Sequence, residues 1–350
     1  MKSLKIENRE VAATPDLSTK YLGLRLKNPV IVGASGLTSN MASIKRLEEA
    51  GVGAIVIKSL FEEQIQLEHF RFDEDMEKNN FRHPEMITVH PHAEFAGPEQ
   101  HLMWVKEAKK EVAIPVIASL NAVNKPTWVD YAKRLEDTGV DALECNFFSA
   151  GREAGRSAAE IEDQQVDLIG TVKAAVSIPV SIKLSHFYTN PVNAIQRMDK
   201  AGASGFVLFN RMLEPDIDLE TQKHIVPFNL SHDTDYRMSL RYAALLEGNI
   251  TADVCCSTGV FDGASVLKAI LAGAQAVQIV SGFLRFGPGL MKKILDDMEQ
   301  WLGKKKYYFL SDFRGKLSKR RLNDLWAYTE GQYASLLMYS EKIIANAPTL

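Results

Sequence analysis

The sequence predicts an α/β fold of the TIM type: a parallel (β/α)8 barrel with an N-terminal hairpin, a long insertion after the second strand and a C-terminal helical extension. Three observations lead there. Eight short Val- and Ile-rich runs alternate with longer amphipathic stretches, the signature of repeated βα units. A weak internal repeat ends a helix at glycine and starts the next strand about two residues later, in "EEAGVGAIVI", "EDTGVDALEC", "DKAGASGFVL" and "LAGAQAVQIV". Every one of the eight runs also finishes in a polar residue, and in a barrel those ends share one mouth.

Taken in order, residues 17–29 alternate and turn at Leu22–Gly23, which predicts a hairpin flooring the barrel. The first run, 28–35, ends at Ser35, and the second, 53–59, ends at Lys58 and Ser59. Some forty residues then intervene before the next helix, too long for a plain connection and therefore a lid or an interface. This insertion holds His90 and His92, which lack a partnered carboxylate at metal-ligand spacing and read as solvated loop histidines, with no metal site expected. The third run (114–121) ends at Asn121, the fourth (141–146) at Asn146, and the fifth (178–185) carries Lys183. The sixth (205–210) ends at Asn210, the seventh (252–258) at Ser257 and Thr258, and the eighth (275–282) at Ser281 and Gly282.

Gly51, Gly139, Gly202 and Gly273 read as helix C-caps, and proline is placed at the first strand residue in "VAIPV" and "VSIPV". An amphipathic stretch from about Ser318 to Ile344 predicts a helical extension packed outside the barrel or on another subunit. The organisation is thus residues 1–28 as arm and hairpin, 29–302 as barrel and 303–350 as extension.

Among 350 residues, 46% are hydrophobic and 24% charged, ample for a large core, and the net charge of −3 offers no basic field for nucleic acid. A small-molecule partner is expected instead. Cys145, Cys255 and Cys256 form neither a CxxC pair nor a zinc pattern, which points to a reducing, cytoplasmic setting. No signal-peptide core and no run of 18 uncharged apolar residues is present, so no membrane span is expected.

Alternation puts Ala142, Glu144 and Asn146 on one strand face, with Glu144 deeper in the barrel if Asn146 faces the mouth. A buried carboxylate needs a partner, and Lys58 or Lys183 is the expected counter-ion. Lysines, carboxamides, hydroxyls and the glycines of "STGVFDG" and "VSGF" suit an anionic planar ligand with a phosphate tail; Gly259, Gly263 and Gly282 would let backbone N–H groups approach it.

Over roughly residues 17–317 the sequence resembles the dihydroorotate dehydrogenase family, flavin mononucleotide (FMN) enzymes on a TIM barrel. The phrases that carry the resemblance are "NPVIVGASG", "AIVIKS", "LECNFFSAG", "VSIKLS", "FVLFN", "STGVFDGASVLKAILAGAQAVQIVSGF" and "SDFRGKL". The resemblance implies FMN as cofactor, with Ala34, Ser35 and Gly36 along the flavin ring, Lys58 and Ser59 in contact with it, and Asn121 beside them. It implies Lys183 near N1 and O2 of the ring, where positive charge stabilises reduced flavin. Thr258 and Gly259 with Ser281 and Gly282 would receive the phosphate, and Ser231 would make a further flavin contact. Asn146 would be shared between flavin and substrate, Asn210 would hold substrate, and Ser149 would be the base that takes a proton while hydride goes to flavin. Soluble members dimerise, which implies a homodimer.

Two departures bear on the substrate. The family's Pro-Asn after the base is Ala150-Gly151 here, and its substrate loop after strand two has no counterpart in "ITVHPHAEFAGP". Each lost donor removes on the order of 1–3 kcal/mol of discrimination. The resemblance therefore implies an FMN-dependent dehydrogenase acting on a CH–CH group of a small pyrimidine-like substrate. The alternative is an FMN-binding relative without dihydroorotate dehydrogenase activity. His186, Arg152 and Arg156 are candidate helpers or anion clamps. A third reading, independent of the resemblance, makes Lys58 or Lys183 a Schiff-base nucleophile with a sugar phosphate as ligand.

Overall fold

The chain turns at the barrel floor through two left-handed residues, Leu22 (φ 55°) and Gly23 (φ 78°), a hairpin turn joining β1 (Thr19–Tyr21) to antiparallel β2 (Leu24–Leu26). This is a computed structural model, and it describes residues 14–61, 97–122, 124–147, 155–211, 215–225, 230–324 and 326–338. The 59–97 insertion, with His90 and His92, lies outside them apart from its ends.

The barrel strands are β3 (Val30–Val32), β4 (Ala54–Phe61), β5 (Val116–Asn121), β6 (Ala142–Phe147), β7 (Val180–Leu184) and β8 (Gly205–Leu208). A small hairpin, β9 (Asp216–Asp218) and β10 (Lys223–Ile225), precedes the last two, β11 (Asp253–Ser257) and β12 (Ala276–Ile279). All eight pair in parallel, in chain order, and β12 closes on β3. Six lie inside one of the eight apolar runs, while β4 and β6 start inside theirs and extend past the end, to Phe61 and Phe147. Pro115 and Pro179 stand immediately before their strands, one position earlier than the sequence suggested; their carbonyls accept from Ile55 and Leu143.

Helices α1 (Met41–Glu49), α2 (Pro98–Glu111), α3 (Lys125–Glu136), α4 (Ala158–Ala175), α5 (Pro191–Lys200), α6 (Tyr236–Leu246) and α7 (Gly263–Ala272) follow the strands. Asn40, Asn124, Ser157, Asn190 and Asp262 cap five of them by accepting from a backbone N–H three residues on. The chain leaves four helices through glycine at positive φ, Gly51, Gly139, Gly202 and Gly273. A short helix, α8 (Ser281–Phe286), and the longer α9 (Leu290–Lys305) complete the ring. Among the described residues no helix is long and apolar enough to cross a membrane.

Two apolar layers result. One lies between strands and helices; the other fills the lower lumen with Leu22, Leu26, Ile31, Val56, Ile117 and Val207. The hairpin plugs that lumen because Gly205 leaves it room: a Cβ there would lie 2.5 Å from Leu22 Cδ2. Asp253 Oδ2 accepts from the Leu22 N–H at 2.7 Å and fixes the plug to β11.

The C-terminal extension differs from the long helix that its periodicity suggests. Among the described residues from 318 onward only α10 (Glu330–Met338) is helical, and residues 339–344 lie outside the described residues. The backbone of 315–319 is spent elsewhere: the N–H groups of Gly315, Leu317 and Lys319 donate to the carbonyls of Ile270, Leu271 and Ala244. These are orphan acceptors at the ends of α6 and α7, so the segment straps two barrel helices together. Ser318 is fully buried in the strap and donates to Glu247 Oε2 at 3.1 Å.

Candidate functional site at the barrel mouth

Above the apolar plug the inward-facing positions turn polar. Glu144 on β6, Lys183 on β7 and Gln278 on β12 meet in the lumen, with Glu144 and Gln278 each 1% exposed. Lys183 Nζ lies 4.0 Å from Glu144 Oε1 and donates to Gln278 Oε1 at 3.3 Å. Gln278 Nε2 in turn donates to Glu144 Oε2. The carboxylate thus has the lysine counter-ion that strand alternation predicts, and the partner is Lys183.

Lys58 is placed differently. Relative to β5, β4 carries one extra residue between Ile57 and Leu60, a bulge that brings Ser59 rather than Lys58 opposite Ser119. The Ser59 and Ser119 hydroxyls are 2.7 Å apart and buried, while Lys58 is exposed at the rim. Its charge is felt by His101 on α2, whose pKa burial first and Lys58 second push down from 6.5 to about 4.

Further up, Asn210 Nδ2 donates to Asn146 Oδ1 at 3.0 Å. Beside them Arg211 pairs with Asp235 at 2.8 Å. Among the described residues, two turns and residues 230–231 continue the mouth. Thr258 (φ 72°) and Gly259 (φ 77°) form a left-handed pair, held by the Thr258 hydroxyl on Phe209 O. Ser231 ties the turns together: its hydroxyl accepts from Gly259 N–H at 3.2 Å, and its own N–H donates to Ser281 Oγ at 3.0 Å.

Ser281 Oγ therefore keeps its own proton to donate, and Ser281 and Gly282, as the first residues of α8, have N–H groups without intrahelical acceptors. The glycines here serve the protein's own packing. A Cβ on Gly259 would meet Tyr236 N at 2.4 Å, one on Gly263 would meet Asp297 Cβ at 2.5 Å, and one on Gly282 would meet Leu290 Cδ2 at 2.9 Å.

One cleft runs from Lys183 to these turns. Ala34, Lys183, Asn210, Ser231, Thr258, Gly259 and Ser281 line it, together with Arg211 and Gln278. Asn146 joins through Asn210. Ser35, Gly36, Lys58, Ser59, Asn121 and Gly282 do not line this cleft. Ser35 caps the turn Gly36–Thr38, accepting from Leu37 N–H, and Asn121 ends β5 opposite Phe61.

A family model described as dihydroorotate dehydrogenase matches residues 96–302, more than half the chain. The chain belongs to the dihydroorotate dehydrogenase family. Similarity over most of the chain agrees. A dihydroorotate dehydrogenase B (NAD(+)) catalytic subunit from Thermoplasma volcanium is 25% identical over 87% of this chain and 99% of its own. The corresponding subunit from Methanocaldococcus jannaschii is 24% identical over 82% and 93%. The chloroplastic dihydropyrimidine dehydrogenase (NADP(+)) of Arabidopsis thaliana is 23% identical over 86% and 76%. The chain is thus a dihydroorotate dehydrogenase-like oxidoreductase on a TIM barrel.

Against the dihydroorotate dehydrogenase pattern, Ser149 at the base position lies outside the described residues, as do Ala150, Gly151 and Arg152. Arg156 donates to Gln164 of α4, the helix that follows it, at 2.6 Å, and His186 packs on Phe187 with ring centroids 4.1 Å apart. Gln278, Arg211 and His101 were not singled out from the sequence. Gln278 had a signal, an amide at an inward position of an apolar strand; the other two had none. The three cysteines are buried, and burial raises all three thiols, Cys256 to about 12, which leaves them unreactive.

Proposed function

We propose that this chain is an FMN-dependent dehydrogenase that oxidises a CH–CH group of a dihydropyrimidine-like substrate. The observation that carries the reading is one cleft with the Lys183 ammonium at one end and the Thr258–Gly259 turn with Ser281 at the other. Its donor set, Lys183, the Asn146–Asn210 pair, the hydroxyls of Ser231 and Ser281 and the first N–H groups of α8, fits an anionic planar ring with a phosphate tail.

FMN, when bound, supplies the hydride acceptor. Lys183 presents its ammonium where negative charge accumulates. Asn146 and Asn210 orient the substrate, their amides aligned by the bond between them. Ser149 Oγ takes the proton from the carbon adjacent to the one that loses hydride, so that a C=C bond forms. The named activities of the relatives, on dihydroorotate and on dihydropyrimidine, bracket the substrate class.

The test is the visible spectrum of the purified protein, followed by anaerobic mixing with dihydroorotate or dihydrouracil. A flavin band bleached by either compound, and not bleached in Ser149→Ala, supports the reading. A flavin band bleached only by dithionite leaves an FMN-binding relative without this activity, and a colourless protein that takes up no FMN overturns the proposal. Borohydride trapping on a lysine would instead favour the Schiff-base alternative.

A further inference from the structure

The buried charge under Lys183 is unusual for the layer it occupies. Immediately below, the lumen is filled by apolar side chains, and an apolar residue at 144 would continue that filling without the desolvation cost of a carboxylate. The geometry of the three residues is also incomplete. Lys183 Nζ stands 4.0 Å from Glu144 Oε1, beyond hydrogen-bond reach, and Glu144 Oε1 has no hydrogen-bond partner among the described residues.

Gln278 keeps the two apart by accepting from the ammonium with one end of its amide and donating to the carboxylate with the other. Gly33 on the neighbouring strand leaves the amide its space, since a Cβ there would lie 3.2 Å from Gln278 Oε1. Among the described residues one of the three ammonium protons is used, on Gln278, so two face the cleft that Lys183 lines.

We infer that Gln278 is a spacer and Glu144 a counter-charge, two positioning residues that together set how much of the Lys183 charge reaches the cleft. The inference rests on FMN occupying the cleft, as proposed above. Glu144 lowers the positive potential there by its own charge; Gln278 raises it by preventing Lys183 from settling onto Glu144.

The two residues therefore act with opposite sign, which a merely structural role would not produce. Glu144→Gln removes the counter-charge, and Gln278→Met keeps the length but frees Lys183 to close on Glu144 Oε1. The readout is the dissociation constant for sulfite, an anion that adds to oxidised flavin and bleaches its visible band, measured on the FMN-loaded protein. Sulfite is expected to bind about tenfold more tightly to Glu144→Gln and about tenfold more weakly to Gln278→Met, each equivalent to roughly 30 mV for a two-electron couple.

Equal shifts of one sign, or no shift in either variant, would overturn the spacer and counter-charge roles while leaving FMN binding intact. Should Glu144→Gln fail to fold, unchanged sulfite affinity in Gln278→Met would alone refute the inference. Wild-type protein that cannot be loaded with FMN would take down the underlying reading and this one together, a result distinguishable from the others before any variant is made.

Discussion

Asn210 donates its amide to Asn146 Oδ1 at 3.0 Å, a bond that reaches from beyond β8 to the end of β6, over the strand that carries Lys183. Two residues 64 positions apart in the chain thereby present one continuous polar edge to the mouth. Removing the donor strands a carbonyl oxygen and unlocks the orientation of its amide.

Asn210→Ala should retain its flavin yet lose about 1–3 kcal/mol of substrate stabilisation, or roughly 5- to 150-fold in kcat/KM. The measurement is steady-state kinetics with the dihydropyrimidine that bleaches the wild-type protein, alongside flavin content. Wild-type kcat/KM in this variant would mean that neither Asn210 nor its bond to Asn146 bears on the substrate.

How far these relationships are legible in the sequence depends on which force fixes them. The eight strands and their polar ends are readable because strand alternation and a closed sheet leave each side chain only two directions. That constraint also brings Asn146, Lys183 and Asn210 to one mouth and sends Glu144 beneath them. At Lys58 a one-residue bulge shifts the phase, leaving Lys58 exposed at the rim and Ser59 buried against Ser119. Periodicity fails at the start of the 318–344 stretch, whose apolar spacing suggests a helix but where the Lys319 N–H donates to the Ala244 carbonyl of another helix. Gly259 is legible as a position that needs no side chain, yet the backbone of residues 232–236 packed against it comes from a loop no local pattern announces.

Gly259→Ala tests that packing. Its φ of 77° costs an alanine about 1–2 kcal/mol. The added methyl would also meet Tyr236 N at 2.4 Å and His232 O at 2.8 Å, both backbone atoms that cannot step aside alone. The loop carrying Ser231 must then move, and with it the hydroxyl that links the two turns. The expected outcome is a lowered Tm and at least about tenfold weaker FMN binding by fluorescence titration, the loss of one to two charge-assisted hydrogen bonds. Unaltered FMN affinity would show that these turns do not hold the phosphate.

At the opposite end, Gly205 and Leu22 form a matched pair. Gly205→Ala places a methyl 2.5 Å from Leu22 Cδ2 in a fully packed lumen and should destabilise by about 1–3 kcal/mol. Leu22→Ala alone should also destabilise, through the cavity it leaves. The double variant should be more stable than the sum of the single losses allows, because the new methyl enters the space vacated by leucine. Urea denaturation of the four proteins measures the coupling, and strictly additive losses would rule out the plug contact.

His101 should make stability depend on pH. In the folded protein its pKa is depressed from 6.5 to about 4, chiefly by burial and secondarily by the Lys58 ammonium, and its Nε2 has no hydrogen-bond partner among the described residues. The folded state therefore keeps the ring neutral at pH values where the unfolded chain has already taken up a proton. Between pH 6.5 and 4 the unfolded state binds more protons, so stability falls on acidification and levels off below the folded pKa. The depression corresponds to at most about 3 kcal/mol. Urea midpoints across this range should fall more steeply for the wild type than for His101→Gln, which has no proton to gain. Lys58→Met should narrow the window slightly by letting the folded pKa rise. Parallel profiles for wild type and His101→Gln would show that the ring is solvated and titrates alike in both states.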